Sequence, residues 1–239
     1  MYEIRPLLTG VRNPDQGVMT YQHNYGRKIW LPIWAFLVRG QGRNILIDTG
    51  LCEDELMIPP GFTEETGLTP KSLPEWLEEL GLRCVDIDTV VNTHLHDDHC
   101  GNNELFPEAQ FFAHEIELEF CANPHPLDHR YEPAFIEGQE FTRITGDMEL
   151  APGLEVRFAP GHTPGCLAVR VETSEGSVAV TGFCCNEDNF PKQGPAICPG
   201  VHTNAIQAWD SIQSIKDAAD IILPMHSMKL PERIGKLDS

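Results

Sequence analysis

The chain has 239 residues, enough to bury a sizeable core, and the expectation is one domain over residues 1–239. Its net charge of −19 repels phosphate backbones, which argues against a nucleic-acid partner. No apolar run reaches the roughly 20 residues needed to cross a bilayer, and Met1–Thr9 lacks the basic flank and apolar stretch of an export signal. No membrane partner is therefore expected, and the eight cysteines read as reduced thiols of a cytoplasmic protein.

Short apolar runs rich in β-branched residues alternate with turn signals along the chain. Ile33–Val38 and Asn44–Ile47 predict a hairpin across Gly40-Gln41-Gly42, followed by a loop over Leu51–Pro70. Ser72 caps a helix with Pro74 in its first turn, Trp76, Leu77 and Leu80 on its apolar face and Gly81 as its stop. Further strands are expected at Asp88–Asn92 and Gln110–Ala113, then a short helix at His114–Phe120. The Pro- and His-rich stretch Cys121–Glu140 has no period and reads as a loop over a site or a protein contact. Strands follow at Leu154–Phe158, Leu167–Val171, Val178–Thr181 and Asp220–Leu223. Between the last two, Thr203 caps a helix whose apolar face is Ile206, Trp209, Ile212, Ile215 and Ala219. Strands then helices, in two successive halves, predict sheets with helices outside.

The chemistry concentrates in Thr93-His94-Leu95-His96-Asp97-Asp98-His99-Cys100-Gly101, directly after the strand Asp88–Asn92. Residues two apart in an extended chain point the same way, so His94 and His96 project together. A turn then lets Asp98 and His99 face the same spot. Imidazole and carboxylate donors suit zinc, iron or manganese.

The pattern HxHxDH resembles the metallo-β-lactamase superfamily, and three other segments agree in order. These are Leu46-Ile47-Asp48-Thr49-Gly50, Pro160-Gly161-His162-Thr163-Pro164-Gly165 and Leu223-Pro224-Met225-His226. The resemblance implies a four-layer αββα sandwich, an α/β fold with both sheets inside. It implies that His94, His96 and His162 hold one divalent metal ion and Asp98, His99 and His226 a second, with Asp48 orienting a ligand. Zinc is the first choice, manganese or iron the alternatives. A water activated between the ions attacks a carbonyl carbon, and Asp98 passes a proton to the leaving group.

One stretch departs from the pattern. The family's bridging aspartate follows a strand ending in glycine, and here that region reads Thr181-Gly182-Phe183-Cys184-Cys185-Asn186. Cys184 is the candidate replacement ligand, since a thiolate supplies the missing negative charge; Cys185 is a weaker one. Cys100 reads as packing beneath the motif turn, and His125, His129 and His202 as loop histidines within reach of a substrate.

The run Asn102–Pro107 with Ala109–Glu115 is similar to the N-acyl homoserine lactonase branch, which implies a small-molecule lactone or related cyclic carbonyl substrate. The branch's tyrosine shortly after the bridging aspartate is missing. Thioester and lactam hydrolysis are alternatives, as is a metal-binding regulator with little turnover. No basic cluster in the sequence offers to hold an anionic tail. A homodimer is left open.

Overall fold

The computed structural model describes residues 1–237. Eleven strands form two sheets. The first contains β1 (Glu3–Arg12), β2 (Leu31–Gly40), β3 (Arg43–Ile47), β4 (Thr89–Val91), β5 (Gln110–His114) and β6 (Phe141–Ile144), in that spatial order. The second runs β11 (Ile221–Leu223), β10 (Gly176–Val180), β9 (Leu167–Thr173), β8 (Leu154–Phe158) and β7 (Met148–Ala151). β3, β4, β5 and β6 pair in parallel, and so do β10 and β11. These parallel runs carry the strand ends that lead to Asp48, His94, His96, Asp98, His99 and His226, while His162 follows the antiparallel β8.

The alternation of side chains along a strand sorts the residues into layers. Phe36, Val38, Ile45, Ile47 and Val91 pack across the middle against Val156, Val169, Val171, Val178 and Val180 of the second sheet. Their neighbours Ala35, Leu37, Leu46 and Val90 face the other way, onto Leu73 and Leu77 of a helix outside the first sheet. Ile212 and Ile215 cover the outside of the second sheet at Ala168 and Ala179. The result is the helix–sheet–sheet–helix sandwich expected. The double burial of β2 explains its unbroken apolar run.

Among the described residues the α-helices are α1 (Phe62–Thr66), α2 (Leu73–Glu79), α3 (Asp97–Cys100), α4 (Glu115–Ala122) and α5 (Ala205–Ala218). Ser72 caps α2 as expected, with Glu75 accepting from the Ser72 N–H at 2.9 Å and from its hydroxyl at 2.8 Å. α5 departs from the expected cap and apolar face. Asn204, not Thr203, caps it, accepting from the N–H groups of Ile206 and Gln207. Ile206 is 74% exposed, and the buried face is Ala208, Ile212 and Ile215. The helix turns its small Ala208 inward because the loop carrying His162 presses on it. A Cβ on Gly161, whose φ is +126°, would stand 2.1 Å from the Ala208 nitrogen.

The strands that sequence reading passed over, β1, β6 and β7, are all sheet edges. β1 contains Pro6 and a bulge near Gly10, tolerable only where a ladder side is free. β6 and β7 are four residues each and largely exposed, so neither alternates clearly.

Candidate metal centre

Strand ends from both sheets converge on a cavity of about 170 Å³. β4 ends at Val91, and the chain then passes through His94 and His96 into α3, which carries Asp98 and His99. His162 comes from the loop after β8 and His226 from the loop after β11. All six are buried. They fall into two triads, His94–His96–His162 and Asp98–His99–His226, with the ligand atoms in each within 4.8 Å of one another.

Hydrogen bonds fix the tautomer of each imidazole. Asp48 sits at the end of β3 with φ +59°, a left-handed backbone that a non-glycine residue adopts only when its surroundings insist. Its carboxylate accepts from the Thr93 N–H and hydroxyl, and from His99 Nδ1–H, all at 2.7 Å. Since the Thr93 hydroxyl donates to Asp48, its oxygen accepts from His94 Nδ1–H at 3.2 Å. His162 Nδ1–H donates to the Val201 carbonyl and His226 Nδ1–H to the Pro32 carbonyl, both at 2.8 Å. His96 is held from its other nitrogen: Nε2–H donates to Asp128 Oδ2 at 3.2 Å. Arg130 grips that carboxylate with two bonds of 2.7 Å.

Every imidazole is thus left with one bare lone pair. Nε2 of His94 and Nε2 of His162 stand 3.2 Å apart, and both are acceptors once their Nδ1 atoms donate. Two lone pairs pressed together in a buried site call for a cation between them. Two zinc–imidazole bonds of ~2.0–2.1 Å at a tetrahedral angle span roughly 3.3 Å, so the residues fit a divalent ion. Burial, reinforced by the neighbouring imidazoles, drives His94 and His162 well below the usual histidine range. Burial likewise pushes His96 and His226 down to about 4, against the pull of Asp128 and Asp98. His99 moves the other way. Burial lowers it, but Asp98 and Asp48 outweigh burial and raise it. For Asp98 burial favours the acid form, yet His99 and Arg12 hold its carboxyl far below the ordinary range.

Sequence reading missed the residues that support these ligands. Asp128, Arg130 and Tyr131 lie in the loop after α4, whose Pro- and His-rich composition was its only signal. Glu117, buried on α4, accepts from Leu95 N–H, Tyr131 hydroxyl, Thr163 hydroxyl and Gly165 N–H, at 2.7–3.1 Å. It ties the two histidine-bearing loops and the Asp128 loop together. Nothing in its local sequence marks it.

The remaining candidates separate clearly. Cys184 lines the cavity but lies outside both triads; its Sγ is 3.8 Å from the Val18 carbonyl and 4.0 Å from Met19 Sδ. Cys185 packs in the core beneath α5, 3.1 Å from the Thr181 hydroxyl. Cys100 is packing, as expected, its thiol on the His96 carbonyl. His125 and His129 are exposed, His202 lies edge-on to Tyr21, and none of the three lines the cavity. All eight cysteines are unpaired.

Comparison with known proteins agrees with this geometry. Residues 29–182, more than half of the chain, match the family described as the metallo-beta-lactamase superfamily. The chain belongs to that superfamily and is a metal-dependent hydrolase. The match ends two residues before Cys184. Among relatives, the N-acyl homoserine lactonase AiiB of Agrobacterium fabrum is 31% identical over 216 residues, covering 81% of this chain and 77% of its own length. The N-acyl homoserine lactonase of Bacillus thuringiensis is 29% identical over 181 residues, 71% of each chain. A solved N-acyl homoserine lactone hydrolase, with N-hexanoyl-L-homoserine at its catalytic metal centre, shares the fold with a TM-score of 0.74. The alignment covers 94% of this chain and 93% of that one at 24% identity.

Proposed function

We propose that the chain is a single-domain lactonase, opening a small cyclic ester with two divalent ions held by His94, His96 and His162 and by Asp98, His99 and His226. The observation that carries this is the pair of buried triads facing one cavity, with hydrogen bonds aiming every imidazole lone pair inward. The curated relatives are N-acyl homoserine lactonases, which favours the ester ring over other carbonyl substrates. Zinc heads the choice of metal, because the donors are imidazole and carboxylate and a fold neighbour is described as a dizinc lactonase (TM-score 0.69, 20% identity, covering 97% of this chain and 89% of that one). Unpaired cysteines throughout fit a reducing compartment, and we place the protein in the cytoplasm.

When bound, the ions supply a Lewis acid for the carbonyl oxygen and a water acidic enough to attack at neutral pH. The protein's own residues do the rest. Asp98, ionised across the working range, takes a proton on a carboxylate oxygen and delivers it to the departing ring oxygen. Asp48 and Asp128 hold their imidazoles in the tautomer that aims a bare nitrogen at the cavity. Val18, Leu31 and Val201 wall the cavity with apolar surface and keep bulk water out. Cys184 is the one cysteine in that wall, and we propose it as the additional anionic ligand.

The test is direct. Metal-loaded protein is assayed by pH-stat against lactones, thioesters and β-lactams, before and after chelation. Release of one acid per lactone opened, abolished by chelator and restored by zinc, is expected. Turnover of thioesters or lactams alone would replace the lactone reading; turnover of nothing, with metal bound, would favour a metal-binding regulator.

A further inference from the structure

The cavity contradicts one impression the sequence leaves. Acidic residues outnumber basic ones 36 to 17, and no basic run offers to hold an anion. Yet the charged side chains lining the cavity, among the described residues, are Asp98, Arg12 and Arg130. Arg12 closes β1, and Arg130 lies in the loop after α4. The fold sets them on one rim of the site, and Asp97 joins them. Its Oδ2 accepts from Arg12 Nη2 at 2.8 Å, and its backbone N–H donates to the Arg130 carbonyl at 2.9 Å.

Neither guanidinium is used up. Arg12 spends one of its five N–H donors on Asp97, and its Nε and Nη1 have no partner among the described residues. Arg130 gives Nε and Nη2 to Asp128, leaving Nη1 without one. Their side chains are 38% and 27% exposed, so these donors open to solvent at the cavity. Asp98, the one acid in the lining, is committed to the metal centre under the function proposed above. The apolar part of the lining is Pro14, Val18, Leu31 and Val201. The cavity therefore offers free guanidinium N–H donors beside an apolar lining, inside a protein whose surface as a whole repels anions.

We propose that Arg12 and Arg130 form an anion-recognition pair, selecting substrates that carry a carboxylate near the ring to be opened. This rests on the hydrolase reading of the same site. A guanidinium pair binds a planar carboxylate through parallel N–H donors, a geometry lysine cannot copy. Each ion pair already present holds its arginine in place, so little side-chain freedom is lost on binding.

The experiment compares two lactones alike except that a substituent beside the ring carries a carboxylate in one and its methyl ester in the other. Metal-loaded wild type, Arg12→Gln and Arg12→Gln/Arg130→Gln are assayed with both. Wild type is expected to favour the carboxylate by about tenfold to a hundredfold in kcat/KM, the worth of one or two charge-assisted hydrogen bonds. That ratio should fall roughly tenfold in Arg12→Gln and approach one in the double variant. Because the ratio is taken within one protein, loss of folded or metal-loaded enzyme cancels. Calorimetry with glutarate, which has two carboxylates, against butyrate, which has one, gives a readout without turnover. Tighter glutarate binding that vanishes in the double variant supports the pair even if no lactone is opened, in which case the lactone reading alone fails. Equal kcat/KM for the two lactones, or a preference that survives both substitutions together with unaltered glutarate binding, would overturn the proposal and leave the arginines as structural partners of Asp97 and Asp128.

Discussion

The two triads are held in different ways. His94, His96 and His162 are three neutral imidazoles, and the anions near them stand one atom behind: Asp128 behind His96, and Asp48 behind His94 by way of Thr93. Asp98, His99 and His226 include a carboxylate among the donors, and Asp48 touches His99 directly. Asp48 therefore serves both sets, while Asp128 serves one. A metal site is as much a matter of what aims the ligands as of the ligands themselves, and the difference can be broken apart by substitution.

The largest effect is expected from a ligand. His96→Ala removes a donor from the first triad, with loss of several kcal/mol of transition-state stabilisation, roughly a thousandfold in kcat/KM. Elemental analysis should show the ion at Asp98, His99 and His226 retained. Loss of both ions together would mean that the triads fold as one unit.

Next come the two carboxylates behind the ligands. Removing such a partner costs about 10–100-fold in metal affinity or activity. Asp48→Asn is expected near the upper end and on both ions. An amide accepts with one oxygen only, and its NH2 group must then face the Thr93 N–H or His99 Nδ1–H. Asp128→Asn is expected near the lower end and on one ion, because its amide oxygen still accepts from His96 Nε2–H. Competitive chelator titration separates the two; equal losses at both ions for both variants would erase the distinction drawn between the triads.

Acid offers a third test, on the metal-free protein. His96 and His226 fall from the ordinary 6.5 to about 4 on folding. Between those values the unfolded chain binds more protons than the folded one, so their contribution is fully present above pH 6.5 and is lost as pH falls toward 4. His99, raised on folding, contributes in the opposite sense and loses its share as pH rises above 6.5. The unfolding free energy from urea titration should therefore drop on acidification from pH 6.5 to 4, by on the order of several kcal/mol. Bound zinc should offset the drop near neutrality, where it competes with protons for the same nitrogens. A metal-free stability that is flat over this window would mean that the histidines open to solvent without metal.

How much of this was legible in the sequence follows from how local each signal is. The six triad residues lie in three short motifs, each at a strand end with its own glycine or proline, and Asp48 sits in a fourth. Interior strands declared themselves because burial on one or both faces forces β-branched runs. The edge strands β1, β6 and β7 carry no such demand, whereas the edge strand β11 still showed as a short apolar run. Glu117, Asp128 and Arg130 were invisible because their meaning lies in partners brought from elsewhere: Glu117 bonds to Leu95, Tyr131, Thr163 and Gly165, none on its own helix. Arg12 is the extreme case, a lone arginine closing an edge strand whose neighbour at the cavity is Arg130.

The smallest effect is expected at Cys184, and it bears on what replaces the family's bridging aspartate. Gly182, with φ +70°, cannot carry a side chain, since a Cβ there would stand 1.9 Å from the Leu167 carbonyl oxygen. This tight turn sends Phe183 and Cys185 into the core and Cys184 toward the cavity. Burial and the charge of Asp98 push the thiol well above its usual range, so without metal it keeps its proton. Ligation requires the thiolate, and metal binding must then expel that proton. Calorimetric zinc titration in buffers of differing ionisation enthalpy counts it: wild type should release about one proton more per chain than Cys184→Ser. Because Cys184 lies outside both triads, the change in second-ion affinity should be no more than about tenfold, and Cys184→Asp should restore it with no proton released. Equal proton release by wild type and Cys184→Ser, with two ions in each, would leave the thiol as part of the apolar wall and the second triad without an anionic bridge.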